Sequence, residues 1–120
     1  MKLTLLPQTF AVCKISDPST IDWKQEFLFF SKTDEELSLV CPENAVPSSS
    51  THVEKSWRGF RINGELDFSL IGILAKISDI LAKEEISIFA VSTFNTDYIF
   101  LQEKDWKKGL ATLSQAGYEF

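Results

Sequence analysis

The sequence predicts an α+β fold in which a βαββαβ unit in the carboxyl-terminal half follows a shortened copy of itself. Three observations carry this. Leu70, Leu74, Ile77 and Leu81 recur at helical spacing, with Ile73 and Ile80 widening the stripe. Ile86–Thr93 and Tyr98–Leu101 read as two strands joined by the polar turn Phe94-Asn95-Thr96-Asp97. Pro47-Ser48-Ser49-Ser50-Thr51 divides the chain near its middle and has a joint's composition. The expected domains are therefore residues 1–50 and 51–120.

The carboxyl-terminal half is the clearer one. Phe60-Arg61-Ile62 is a strand ending at Asn63-Gly64, and Asp67 or Ser69 is placed to cap the helix that follows. Lys76, Asp79 and Lys83 fall on that helix's outer side. After the hairpin, Asp105 opens a second helix whose inner face carries Trp106, Leu110 and Leu113. Gly117 stops it, and Tyr118-Glu119-Phe120 can add a last strand. This order is the split βαβ of ferredoxin-like folds.

In the amino-terminal half, Phe10–Ile15 is a strand, and residues 18–24 leave room for one or two helical turns. Residues 27–31 and 37–41 form a hairpin, and residues 42–46 make a short turn of helix. Laid over the second half at an offset of 61 residues, the two hairpins match in turn polarity and strand hydrophobicity, which reads as a duplication. Tyr98–Leu101 is apolar on both faces, so something besides two helices must cover the second sheet face: the first half of the chain or another chain.

Composition narrows the function. The 120 residues are 44% apolar with a net charge of −5, enough apolar surface for a core and no basic face for releasing counterions from nucleic acid. No run approaches the ~20 apolar residues of a spanning helix, and the first residues lack a signal peptide's apolar region. Cys13 and Cys41 fit buried, reduced thiols, so the expected compartment is the cytoplasm. One histidine, no GxSxG, no metal spacing and no glycine-rich phosphate loop argue against an enzyme and call for no cofactor.

Residues 67–75, Asp67-Phe68-Ser69-Leu70-Ile71-Gly72-Ile73-Leu74-Ala75, resemble the strand-to-helix junction of ACT domains, as does the run from Ile86 to Ile99. With Phe10-Ala11-Val12-Cys13 and the stretch Asp34 to Glu43, the chain is similar to small bacterial tandem-ACT proteins of the aspartokinase-like group, related in plan to cytosolic arginine sensors. The resemblance implies a regulatory module holding a small effector, an amino acid, where two ACT units meet. It also implies pairing of such units, hence a homodimer, and a regulated protein partner.

The site expected from this combines Ser69, Leu70, Ile71 and Gly72, whose helix N-terminus suits a carboxylate, with Asp67 and Asp97 as acceptors for an ammonium group. Thr93, Asn95 and Thr96 can add hydrogen bonds. Each has a plainer role available: Asp67 as a cap, Asp97 as a turn former, Gly72 as a helix-packing glycine. The competing function is a ligand-independent assembly module. An acylphosphatase-like or RNA-binding ferredoxin-like domain fits less well, since both want basic surfaces.

Overall fold

The computed structural model describes residues 1–63 and 71–120. Six strands and two helices follow in the order β1 (Leu3–Ile15), β2 (Phe29–Lys32), β3 (Leu37–Pro42), β4 (Ser50–Ile62), α1 (Ile73–Ala82), β5 (Ile88–Ser92), β6 (Asp97–Gln102) and α2 (Trp106–Gln115). Single 3-10 turns occupy Pro18–Thr20, Glu43–Ala45 and Glu103–Asp105. The strands neighbour one another in the order β2-β3-β1-β4-β6-β5. Two compact units result: Met1–Pro7 with Arg58–Phe120, and Gln8–Trp57.

The larger unit is a βαββαβ fold from the second half of β4 onward. α1 buries Ile77 and Leu81, and α2 buries Trp106, Gly109 and Leu113. These side chains close over Leu3, Phe60, Ile62, Ile99 and Leu101. Gly109 lets α2 approach, because a Cβ there would come within contact distance of the Leu101 side chain. Gly117, at φ 97°, ends α2 in the left-handed region. Glu119 then bridges in parallel to Lys2, with the Leu3 amide donating to its carbonyl at 2.7 Å.

The sheet face opposite the helices carries Phe100, which is fully buried within the single chain. Its ring stacks on Phe89 with centroids 4.7 Å apart and fills the space above Gly59. A Cβ at residue 59 would lie 2.7 Å from the ring edge. The apolar second face of β6 is thus met inside the chain at this position.

In the smaller unit the helices are reduced to 3-10 turns. β3 pairs antiparallel with both β1 and β2, setting Cys13 opposite Leu39 and Phe29 opposite Val40. Ala11, Cys13, Ile15, Ile21, Leu39 and Cys41 form its core. Cys13 and Cys41 are free thiols that hydrogen-bond each other. That bond and burial push the Cys41 thiol up, whereas Cys13, accepting from Cys41, is drawn down to about 7.

The repeat between the halves runs at an offset of 60, not 61. The Thr33 amide donates to the Glu36 carbonyl at 3.0 Å, and the Thr93 amide to the Thr96 carbonyl at 2.9 Å. This register lays Leu39 over Ile99 and Cys41 over Leu101, all fully buried. A slip of one residue would turn each strand's buried set to the opposite face.

Three further expectations are corrected. β1 begins at Leu3, running through Pro7 rather than starting at Phe10. β4 begins at Ser50, far upstream of Phe60. α1 begins at Ile73 with Gly72 as its N-cap, so Gly72 is not a glycine of the helix interior; Asp67 and Ser69, expected to cap the helix, lie outside the described residues.

Replacing Gly59 with alanine is expected to cost about 1–3 kcal/mol, because the buried Phe100 ring, stacked on Phe89, would have to shift. Urea unfolding of Gly59→Ala against the parent chain measures it, and an unchanged midpoint would contradict the packing described.

Candidate functional site

The site is built at one end of the larger unit, where β4 delivers the chain toward α1. Gly72 adopts φ 79°, a left-handed conformation open to glycine at no steric cost. Its carbonyl accepts the first helical bond from the Lys76 amide at 2.9 Å. The N-cap residue of α1 is thus Gly72, which has no side chain to offer, and the amides of the first turn, which have no partner within the helix, carry the positive end of the helix dipole.

A cavity of about 290 Å³ opens beside this turn. Ile71, Gly72, Ile73 and Lys76 form one wall, and Ala116, Gly117 and Tyr118, just past α2, form the other with Met1. The volume is at the small end of ligand pockets, roughly 300–1,000 Å³. Lys76 is the charged side chain among the described lining residues. Ile71, 91% exposed, stands at the mouth. Burial raises the Tyr118 hydroxyl's pKa, which keeps the phenol neutral over an extended alkaline range.

The β5–β6 turn is tied to the end of β4. Thr96 is buried, and its hydroxyl donates to the Ile62 carbonyl at 2.8 Å. Thr93 Oγ1 donates to the Thr96 carbonyl at 3.0 Å, and the Ser92 hydroxyl donates to the Asp97 carboxylate at 2.6 Å. Asn95 and Phe94 are exposed at the tip.

Of the residues expected from sequence, Ile71 and Gly72 line the cavity. Asp67, Ser69 and Leu70 lie outside the described residues. Thr93, Asn95, Thr96 and Asp97 make the hairpin turn and are not among the cavity's lining residues. Ile73, Lys76, Ala116, Gly117, Tyr118 and Met1 were not foreseen. A lysine four residues after a helix-starting glycine was the readable signal for Lys76. Met1 and Tyr118 come close only through the bridge between Lys2 and Glu119, which the sequence does not announce.

The equivalent corner of the smaller unit is closed. Asp17 accepts from the Ser19 amide at 2.9 Å, which holds its carboxyl below the usual range. Ser49 Oγ accepts from the Asp17 amide at 3.2 Å and meets Thr20 Oγ1 at 2.8 Å. Among the described residues, no cluster of three or more metal-ligating side chains occurs, and no helix is long and apolar enough to cross a membrane.

The fold and this helix-terminus corner define an α+β, ferredoxin-like module built from two related units. Residues 52–115 match the model of the ACT domain, and the chain belongs to that family. A second model, described as an N-terminal domain, matches residues 8–49. A protein of Agrobacterium tumefaciens is 29% identical, with 98% of this chain and 90% of that one covered at a TM-score of 0.86. The regulatory subunit of aspartate kinase from Thermus thermophilus, in its ligand-free form, is similar in fold at 11% identity, with 96% and 97% covered and a TM-score of 0.62. Aspartate kinase of Clostridium acetobutylicum is similar over 95% of this chain and 33% of that one, at 16% identity and a TM-score of 0.64. No curated protein matches the chain.

Thr96→Val removes the buried donor to the Ile62 carbonyl. A loss of about 1–3 kcal/mol is expected in chemical unfolding, against little change for a substitution of the exposed Asn95.

Proposed function

We propose that the chain is a non-catalytic regulatory module that binds a small carboxylate-bearing effector, an amino acid, at the α1 corner. The observation that carries this reading is the cavity at a helix N-terminus whose N-cap is a glycine, with Lys76 as the charged side chain of the described wall. A carboxylate there meets first-turn amides, the helix dipole and an ammonium group together. Ile71, Gly72 and Ile73 would pack on the effector's apolar part. One candidate for holding its ammonium, on the family resemblance, is Asp67, which with Ser69 and Leu70 lies outside the described residues. The others are the turn residues Thr93, Asn95 and Asp97, which do not line this cavity and would have to meet the ligand from a second ACT unit.

Fold likeness to regulatory parts of aspartate kinases supports the regulatory half of the reading. Self-association of the chain, through which ACT units would pair, would shield the exposed Ile71 at the mouth. Effector binding then favours one arrangement of the units, and a partner protein in the cytoplasm reads the shift.

A thermal-shift screen against the common amino acids tests this. A true effector at a hundredfold over its Kd adds about 2.7 kcal/mol, which raises the melting temperature by several degrees. Lys76→Glu should abolish that shift while leaving the ligand-free melting point nearly unchanged, because Lys76 is exposed. No stabilisation by any amino acid, or a shift indifferent to Lys76→Glu, would transfer the argument to a ligand-independent assembly module.

A further inference from the structure

Cys13 and Cys41 have no part in the effector site, yet the smaller unit places them as a pair. The register of β1 and β3 sets Cys13 opposite Leu39 and Cys41 opposite Ala11. Counted along each strand, these four residues share one face, and the two cysteines are diagonal neighbours across it. Both are buried free thiols of the smaller unit's core. Ala11 offers only a methyl group opposite Cys41, which leaves the diagonal to the two sulfurs.

The surroundings make the two sulfurs unequal. The Cys41 thiol donates to the Cys13 sulfur, and the Ser50 hydroxyl is a second donor to it. Burial opposes ionisation, but the bond from Cys41 outweighs it, and Cys13 is drawn down to about 7. Cys41 moves upward, as the donor of that bond and by burial, and keeps its proton. Ser50 is half-buried, and its hydroxyl also reaches the Pro47 carbonyl at 2.7 Å. Cys13 therefore lies one side chain beneath the surface. Among the described residues no third metal-ligating side chain joins the pair, so it lacks the four ligands of a structural zinc site. A thiolate beside a retained thiol is instead the arrangement of an attacking and a resolving cysteine.

We propose that Cys13 and Cys41 are a peroxide-responsive pair that closes reversibly to a disulfide between β1 and β3. The Cys13 thiolate attacks hydrogen peroxide: the O–O bond breaks, a sulfenic acid forms on Cys13, and the departing hydroxide takes up a proton as water. The Cys41 sulfur then attacks the sulfenic sulfur. The S–S bond forms, the S–O bond breaks, and the second hydroxide leaves as water with the Cys41 proton. Two thiols are oxidised by two electrons in all, and one peroxide is reduced. Diagonal neighbours stand roughly 7–8 Å apart by Cα, whereas an unstrained disulfide spans roughly 4.4–6.8 Å. Closing the bond therefore draws the strands slightly together and leaves it strained, and a strained disulfide is the readily reduced kind.

Treatment of the reduced full chain with hydrogen peroxide, followed by intact mass measurement and peptide mapping, tests this. The parent is expected to lose both thiols together with the mass of two hydrogen atoms, and to yield a cross-linked peptide joining residues 13 and 41. Reduced glutathione should restore both thiols. In Cys41→Ala, Cys13 should stop at the sulfenic acid, which dimedone captures. In Cys13→Ala, Cys41 should stay unmodified at the same peroxide dose. Retention of both thiols by the parent, or cross-links between copies in place of one within the chain, overturns the pair. Dimedone capture at Cys41 in Cys13→Ala overturns the assignment of roles, and a bond that glutathione leaves intact overturns its reversibility. The parent's cross-link decides the matter even where an alanine variant fails to fold, which circular dichroism checks. Either result leaves the amino-acid screen untouched.

Discussion

Helix α1 is anchored from its middle and far end and starts at a glycine. Ile77 and Leu81 are fully buried against the sheet and supply the hydrophobic free energy that fixes the helix. It begins at a left-handed glycine, which has no capping side chain of its own, with Ile71 exposed beside it. Capping by serine, threonine or aspartate normally contributes about 1 kcal/mol, small beside the burial of Ile77 and Leu81. On the proposed reading the first-turn amides are what an external carboxylate uses.

The hairpin turn complements this arrangement. The Thr96 hydroxyl reaches the Ile62 carbonyl at the last residue of β4, so the turn and the strand end move as one piece. The bond is buried, where an unmade partner is costly. It holds Thr93, Asn95 and Asp97 at the end of the unit from which the chain proceeds to α1. Strand ends and helix starts of an α+β unit converge on one edge, and the cavity sits there because side chains of regular elements leave corners unfilled.

Much of this was legible in the sequence, and the failures have physical causes. The β5–β6 hairpin, α2 and its Gly117 stop follow from periodicity and turn chemistry. The start of α1 was placed too early because Leu70 extends the apolar stripe of Leu74, Ile77 and Leu81, and periodicity cannot see a left-handed glycine. Pro7 hid the beginning of β1, although Leu3 and Leu6 are both buried. The upstream half of β4 lacks the alternation of a half-buried strand, since its residues are exposed on both faces. The one-residue slip in the repeat arose because turn polarity is uniform, whereas burial at Leu39 and Ile99 is not. For the site, Ile71 and Gly72 were readable from the junction. Lys76, Tyr118 and Met1 required the three-dimensional path.

The two units began from one plan and diverged at the same corner. Ser49 Oγ and Thr20 Oγ1 fill the smaller unit's version with internal hydrogen bonds, and Asp17 holds its own turn through the Ser19 amide. In the larger unit, Gly72 and Gly117 bring no side chains to the same place. Duplication of the plan has therefore not duplicated the open corner. On the proposed reading one equivalent of effector binds per polypeptide, and the smaller unit's copy of the corner serves as scaffold.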